Sequence, residues 1–295
     1  MGRPQAVFQG RKPLPATRHK ATRWRAFSRN PTSVAGAIVV LAFVLMAACA
    51  QWLTPYSMEE MHMAERSVPP SLSHWFGTDQ FGRDVLSRTV YGGRISLLVG
   101  TLSVGVAATV GITMGTVAGF WGGWWDDGFM RVTDILMAFP DIVLAIGLIA
   151  ILGAHFGDLI IVIGFTRIPD FARLSRAQTL LLRRQEYVLA AEAVGLRRLQ
   201  ILMRHILPNA SAPLLVLASL ALAGAINSEA ALSFLGIGVQ PPLASWGTMV
   251  ADGRRFVLTA PWMPAFPGGA ISLAILGFNL LGDGLRDAFD PRHAH

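Results

Sequence analysis

The chain has 295 residues, 53% of them hydrophobic and only 15% charged, against roughly 25% charged in soluble domains, so a soluble globular enzyme is excluded and a polytopic membrane protein is expected. The net charge of +7 lies in two basic patches separated by apolar stretches, which marks a cytoplasmic membrane side and excludes nucleic acid as a partner. The single cysteine, Cys49, rules out an internal disulfide and a cysteine-held metal cluster, and the only lysines, Lys12 and Lys20, leave no lysine for a glycine-rich phosphate-binding loop.

Residues 1–33 form a basic segment with Arg3, Arg11, Lys12, Arg18, Lys20, Arg23, Arg25 and Arg29 and no acid. They are expected to stay cytoplasmic ahead of a first transmembrane helix over 34–53. Within that helix, 45–49 loosely resembles a lipoprotein cleavage box and 48–50 reads A-x-A, but the long basic lead and the later apolar spans argue against removal. Ala6 also breaks a myristoylation signal. Residues 54–94, with Pro69-Pro70 and the run HWFGTDQFGRD, read as an extracytoplasmic segment.

The second span, 95–120, carries Gly111, Gly115 and Gly119 four residues apart, a small-residue stripe for close helix packing. A short turn leads to a third span over 129–152, interrupted by Asp134, Pro140 and Asp141. Those acids either sit at the cytoplasmic end of the helix or line a water-filled path. The fourth span, about 159–182, holds Arg167, Pro169, Asp170, Arg173 and Arg176, and hydropathy alone would miss it.

The polar loop 184–210 follows. The small Ala190, Ala191 and Ala193 favour a helix, Gly195 suits a left-handed turn, and Leu196, Leu199, Leu202, Met203 and Ile206 share one face of a second helix that Pro208 closes. Arg183, Arg184, Arg197, Arg198 and Arg204 make it basic, so it either sets topology or docks a partner. A fifth span, 213–235, contains Asn227, Ser228 and Glu229; an outside loop, 236–264, contains Trp246 and Trp262; and a sixth span, 267–281, contains Asn279. The expected fold is all-α with six transmembrane helices and both termini cytoplasmic. Glu229 either bridges helices near the outer face or faces a pathway, as do Asn227 and Asn279.

No H-E-x-x-H or G-x-S-x-G motif is present and the seven histidines are scattered from His19 to His295, so no catalytic, metal or cofactor-binding residues are assigned.

The segment YVLAAEAVGLRRLQILMRHILPN resembles the EAA loop of bacterial ABC-importer permeases. FGTDQFGRDVLSR (76–88), GWWDDGFMRVTDILMAFP (123–140), ALSFLGIGVQPPLASWG (231–247) and AFPGGAISLAILGFNLLGDGLRDAFDPR (265–292) resemble the C-type permease subunits of dipeptide and oligopeptide importers. The likeness runs from Asn30 to Arg292 and implies the type I importer permease fold: a five-helix core over 95–292 with the coupling loop 184–210, and a tail at 293–295. It implies a bacterial inner-membrane location, a second homologous permease subunit, two ABC ATPase subunits that bind ATP and Mg, an extracytoplasmic solute-binding protein, and lipid around the spans. By the same resemblance Ala190, Ala191, Glu192, Gly195, Leu196, Leu199, Arg204 and Pro208 couple to the ATPase, and Asp79, Arg83, Asp84 and Trp246 belong to the region met by the binding protein. Leu189 stands where the family has Glu, and Glu186 or Glu192 is the alternative source of that carboxylate. The implied cargo is a di- or oligopeptide, with glutathione and nickel as alternatives on the same machinery. An ion-coupled carrier, or a membrane hydrolase using Glu229 or the span aspartates, is the alternative of another class.

Overall fold

The computed structural model describes residues 27–28 and 30–289; the basic residues Arg3 to Arg25, Arg29 and the tail 293–295 lie outside the described residues. Helix α1 (Pro31–Ala48) begins where Pro31 occupies the first turn and the Asn30 side chain accepts the Thr32 N–H, two devices that satisfy or remove orphan donors at a helix start. After a short helical extension, Ala50–Leu53, the chain runs through 54–84 with only one 3-10 turn, Met63–Glu65.

Helix α2 (Val85–Trp121) spans 37 residues and starts ten residues before the expected position. Asp84 explains the early start: its Oδ2 accepts the Ser87 N–H at 2.7 Å, capping the helix. The expected third span is two helices, α3 (Gly123–Met137) and α4 (Asp141–Leu152), bent 95° at 138–140. Pro140 has no N–H to continue the α3 ladder and disfavours helical geometry at Phe139, so the bend falls there.

Helix α5 (Phe156–Arg183) and helix α6 (Glu186–Ala193) follow. A single turn, Arg198–Ile201, and a π-helical turn, Leu202–Ile206, then run without a break into α7 (Leu207–Phe234). Pro208 therefore does not close the loop segment. It sits in the first turn of α7, directly after the wider π turn, where a residue without an N–H costs no regular hydrogen bond. Helix α8 (Trp246–Gly253) and helix α9 (Trp262–Phe289) complete the chain.

Among the described residues, four continuous helices are long and apolar enough to cross a membrane, or five if the bent α3–α4 pair is one span. Helix α5 has the length, at 28 residues, but carries charges through its middle.

The core is built on α2 and α5, which run parallel in a fixed register. Ser103 Oγ donates to the Ile160 carbonyl at 3.0 Å, 57 positions on. The same offset places Gly111 on the Ile168 carbonyl, Gly115 on the Ala172 carbonyl and Gly119 on the Arg176 carbonyl. The glycine stripe thus lets two backbones meet where a side chain would hold them apart. Helix α7 lies antiparallel to α2, with Gly100 against Ile226 and Ser96 bonded to Glu229. Helix α1 lies antiparallel to α9: Ser33 meets Gly284, Gly36 meets the Leu280–Leu281 backbone, and Val39 meets Gly277.

A Cβ on Gly115 would stand 2.0 Å from the Ala172 carbonyl oxygen, whereas one on Gly105 of the same helix meets nothing within 4 Å. Gly115→Val is expected to cost at least about 1–3 kcal/mol by overpacking, while Gly105→Val is tolerated. Thermal unfolding of the two variants in detergent checks the contrast, and equal melting temperatures would refute the register.

Candidate functional site

The loop between α5 and α7 is built by a local hydrogen-bond motif. At the end of α6 the Gly195 N–H donates to the Glu192 carbonyl at 3.0 Å and the Leu196 N–H to the Ala191 carbonyl at 3.1 Å, with Gly195 at φ 82°. This paired pattern requires a left-handed residue after the helix cap, which glycine adopts without a Cβ penalty. Val188 and Ala191 are buried and fasten α6 to the core; Ala190, Glu192, Leu196, Leu199, Arg204 and Pro208 are exposed.

The expected single apolar face is split. Ile201, Leu202 and Ile206 are buried, while Leu189, Val194 (83% exposed), Leu199 (62%) and Met203 point away from the protein. The apolar surface is wider than the core can cover, and the remainder lies beside Arg197, Arg198 and Arg204. Glu186 and Glu192 are both exposed, and neither forms an ion pair among the described residues.

Glu229 is wholly enclosed. Ser96 Oγ of α2 donates to its Oε2 at 2.9 Å and Ser233 Oγ of α7 to its Oε1 at 2.7 Å. The same Ser96 hydroxyl oxygen accepts the Trp246 N–H at 3.2 Å, and the Ser233 oxygen accepts the Val239 N–H at 3.1 Å. Trp246 adds an indole N–H to the Thr89 carbonyl at 2.8 Å. Glu229 thus pins α2, α7 and the α7–α8 loop together, as buried polar groups must be satisfied. Asn227 is exposed on the opposite side of α7, and Asn279 is half-buried in α9, so these three residues do not converge.

The charges that obscure α5 hold the bent pair to it. Arg176 Nη2 donates to Asp126 Oδ2 at 2.6 Å, and Arg173 Nη2 to Asp134 Oδ1 at 2.7 Å, both onto α3. Arg183 Nη1 reaches the Phe120 carbonyl at the end of α2 at 2.9 Å. Arg167 is looser, with Nη1 at 3.4 Å from Asp141 Oδ2 and 4.0 Å from Asp170 Oδ2, and Nη2 at 3.4 Å from Ser228 Oγ. Sequence reading assigned Arg167 no role; a cation in the middle of a span was the signal.

In the segment 54–84, Asp79 and Asp84 are buried and Arg83 is nearly so, and Trp246 at the start of α8 is buried as well. Asp79 accepts the Phe81 and Arg83 N–H groups at 2.8 and 3.0 Å, Arg83 Nε at 2.7 Å, and Arg88 Nη1. A Cβ on Gly82 would stand 1.9 Å from the His62 carbonyl oxygen, which fixes glycine in this turn. These residues shape the surface from within. Leu72, Trp75 and Phe81 face outward; Phe81 borders a cleft of about 640 Å³ with Met61, Pro241, Leu243 and Asp252, and Leu72 and Trp75 border a separate one with Trp52 and Leu53.

A model of the binding-protein-dependent transport system inner membrane component family matches residues 111–295, and one for the N-terminal transmembrane domain of oligopeptide transport permease C matches residues 21–70. The chain is 45% identical over 269 residues to a dipeptide transport system permease protein of Alkalihalophilus pseudofirmus, covering 91% of this chain and 88% of that one. It is 42% identical over 286 residues to a glutathione transport system permease protein of Pectobacterium atrosepticum, covering 95% of each. A solved methionine ABC transporter in an inward-facing form has a TM-score of 0.49 and 18% identity, over 70% of this chain and 94% of that one.

His74 supplies a pH-dependent clamp in the 54–84 segment. It is 3% exposed, with Nδ1 at 2.9 Å from Asp84 Oδ1 and Nε2 at 3.2 Å from Glu65 Oε2. Burial disfavours the imidazolium, but the hydrogen bonds and charges of Asp84 and Glu65 outweigh it and raise the pKa above 6.5. The stabilisation is therefore fully present below the unfolded value and is lost as pH rises through the raised folded value. Hydrogen-exchange protection over 65–84, corrected for intrinsic rates, should fall as pH rises from 6.5. His74→Gln should flatten that dependence; an unchanged profile in the variant would refute the clamp.

Proposed function

We propose, for a chain that belongs to the binding-protein-dependent transport system inner membrane component family and is thereby a membrane permease subunit of an ABC importer, that the helix–glycine–helix at 186–206 is where partner ATPases grip it and that its cargo is a short peptide. The chain is not an enzyme. It is a multi-pass protein of the inner membrane that works within a partnered permease and ATPase complex. The finer assembly is a second homologous permease subunit, two ATPases carrying ATP and Mg, and an extracytoplasmic binding protein that selects the cargo. Its relatives are named for dipeptide and for glutathione transport, and a short peptide is the chemistry those two share.

The topology proposed is six spans with both ends cytoplasmic. Since α2 and α5 are parallel and adjacent, the bent α3–α4 pair has to return the chain across the bundle once. The antiparallel pairing of α7 with α2 and of α9 with α1 is consistent with the remaining crossings. The positive-inside bias then places the basic loop in the cytoplasm.

The observation that carries the coupling reading is the uncovered apolar surface of Leu189, Val194, Leu199 and Met203 on a basic loop. Apolar side chains on a water-facing loop mark a docking surface. Pressure on this loop passes into rigid elements. Val188 and Ala191 bear on the core, and the run Arg198–Phe234 is one helix of 37 residues, about 55 Å long. At its far end the Glu229 pin holds the outer loop, so a tilt of this helix moves both faces of the membrane together as a rigid body. The 54–84 segment and the α7–α8 loop, shaped by Asp79, Arg83, Asp84 and Trp246, are assigned to the binding-protein side, with contact through Leu72, Trp75 and Phe81.

No atom lies within 4 Å of a Cβ at Gly195, so a substitution there tests the backbone alone. Gly195→Val should cost about 1–2 kcal/mol for a left-handed β-branched residue, lowering ATPase co-purification or uncoupling hydrolysis from uptake while membrane insertion is unchanged. Gly195→Asn, which tolerates this geometry, should retain coupling. Normal uptake and co-purification in Gly195→Val would remove the assignment.

A further inference from the structure

We propose that Arg167, Asp141 and Asp170 form a zwitterion-binding station on the membrane path, the guanidinium taking a carboxylate and the two aspartates an ammonium group. This rests on the peptide-import reading above and adds which parts of the cargo this chain itself reads.

The cluster is centred on the middle of α5 and not on either of its ends. Arg167 lies eleven residues from Phe156 and sixteen from Arg183, hence about 16 Å and 24 Å along the α5 axis from its two ends. Asp141 opens α4 beside the bend, and its Oδ2 lies 3.4 Å from Arg167 Nη1, so it shares the level of Arg167. The Asp141 and Asp170 side chains are 54% and 41% exposed at this depth. Charged groups there do not face hydrocarbon, so this face of the chain is covered by water or by polar groups of another chain.

Arg167 differs from its neighbours on the same helix. Arg173 and Arg176 hold their aspartates at 2.7 and 2.6 Å. Arg167 makes no hydrogen bond shorter than 3.4 Å, and its Nε is buried without a partner among the described residues. Guanidinium is a planar fork of five donors suited to bidentate carboxylate binding, and here the fork is mostly unspent. It is held from below by α7: a Cβ on Gly224 would stand 3.0 Å from Arg167 Nη2. The exposed Asn227 and the half-buried Ser228 stand next along α7. One cation with spare donors between two exposed carboxylates presents the charges that complement the two ends of a short peptide.

The test uses the complete importer in proteoliposomes, with Cys49→Ser as background, Asn227→Cys as reporter and dialanine as probe. Dialanine is expected to slow labelling of the reporter by a small anionic thiol reagent by about fivefold or more, and dialanine amide, which lacks the carboxylate, is not. Arg167→Gln should abolish that protection and lower dialanine uptake about tenfold or more, with Arg167→Lys, which keeps the charge but not the fork, restoring part of both. Equal protection by dialanine and its amide, a reporter unreactive in resting and in turning-over complexes, or unchanged uptake in Arg167→Gln would overturn the station. So would an equal loss of uptake in both Arg167 variants with labelling unaffected, which would assign Arg167 to packing against the partner permease. Failure of the parent complex to import dialanine, with protection intact, would sink the peptide-import reading and leave the station standing.

Discussion

The close backbone approach of α2 and α5 is the constraint from which the remaining architecture follows. Glycines at 111, 115 and 119 put carbonyls of α5 where side chains of α2 would otherwise be, so the two helices have one allowed register and one allowed direction. In a bilayer, where apolar side chains gain nothing by leaving lipid for protein, such contact is what makes one packing better than another. Because both helices run the same way, the chain between them has to recross the bundle, and the bent α3–α4 pair does so. The arginines of α5 become tolerable for the same reason. A helix held this tightly against α2 can direct Arg173 and Arg176 toward acids on α3, where they are paired.

Two polar systems divide the work within this frame. The Glu229 knot uses serine hydroxyls and backbone N–H groups from three elements and joins the C-terminal end of α7 to the α7–α8 loop. The α5 arginines use ion pairs and join α5 to the bent pair. The long helix through Arg198 and Phe234 links the first system to the basic loop, so the 186–206 loop and the α7–α8 loop share one rigid rod.

Legibility in the sequence tracked how local the physics was. The glycine turn at Gly195 was readable because its conformation depends on six consecutive residues and one φ angle. The stripe at 111, 115 and 119 was readable because its spacing equals the repeat of a helix face. The α3–α4 break was harder: Pro140 and Asp141 signalled an interruption, but whether a proline kinks a helix or ends it depends on what packs against it. Pro208 misled in the opposite sense, since a preceding π turn let the helix continue through it. The apolar face of the loop was legible as a set of residues and not as two subsets, because only the tertiary fold decides that Ile201, Leu202 and Ile206 turn inward and Leu199 and Met203 do not. The motif around Asp79, Arg83 and Asp84 was recognisable, yet its side chains point inward, where they bond to one another and to the chain around them.

The composition of the Glu229 knot has a consequence for how the protein responds to salt. Its partners are neutral hydroxyl and amide donors sealed from solvent, so mobile ions have no pair of opposite exposed charges to shield. The bridges from Arg173 and Arg167 end on exposed carboxylates, which are within reach of dissolved ions and weaken as these accumulate. As salt accumulates around the protein, the Glu229 fastening is thus expected to hold while the charged seam along α5 loosens.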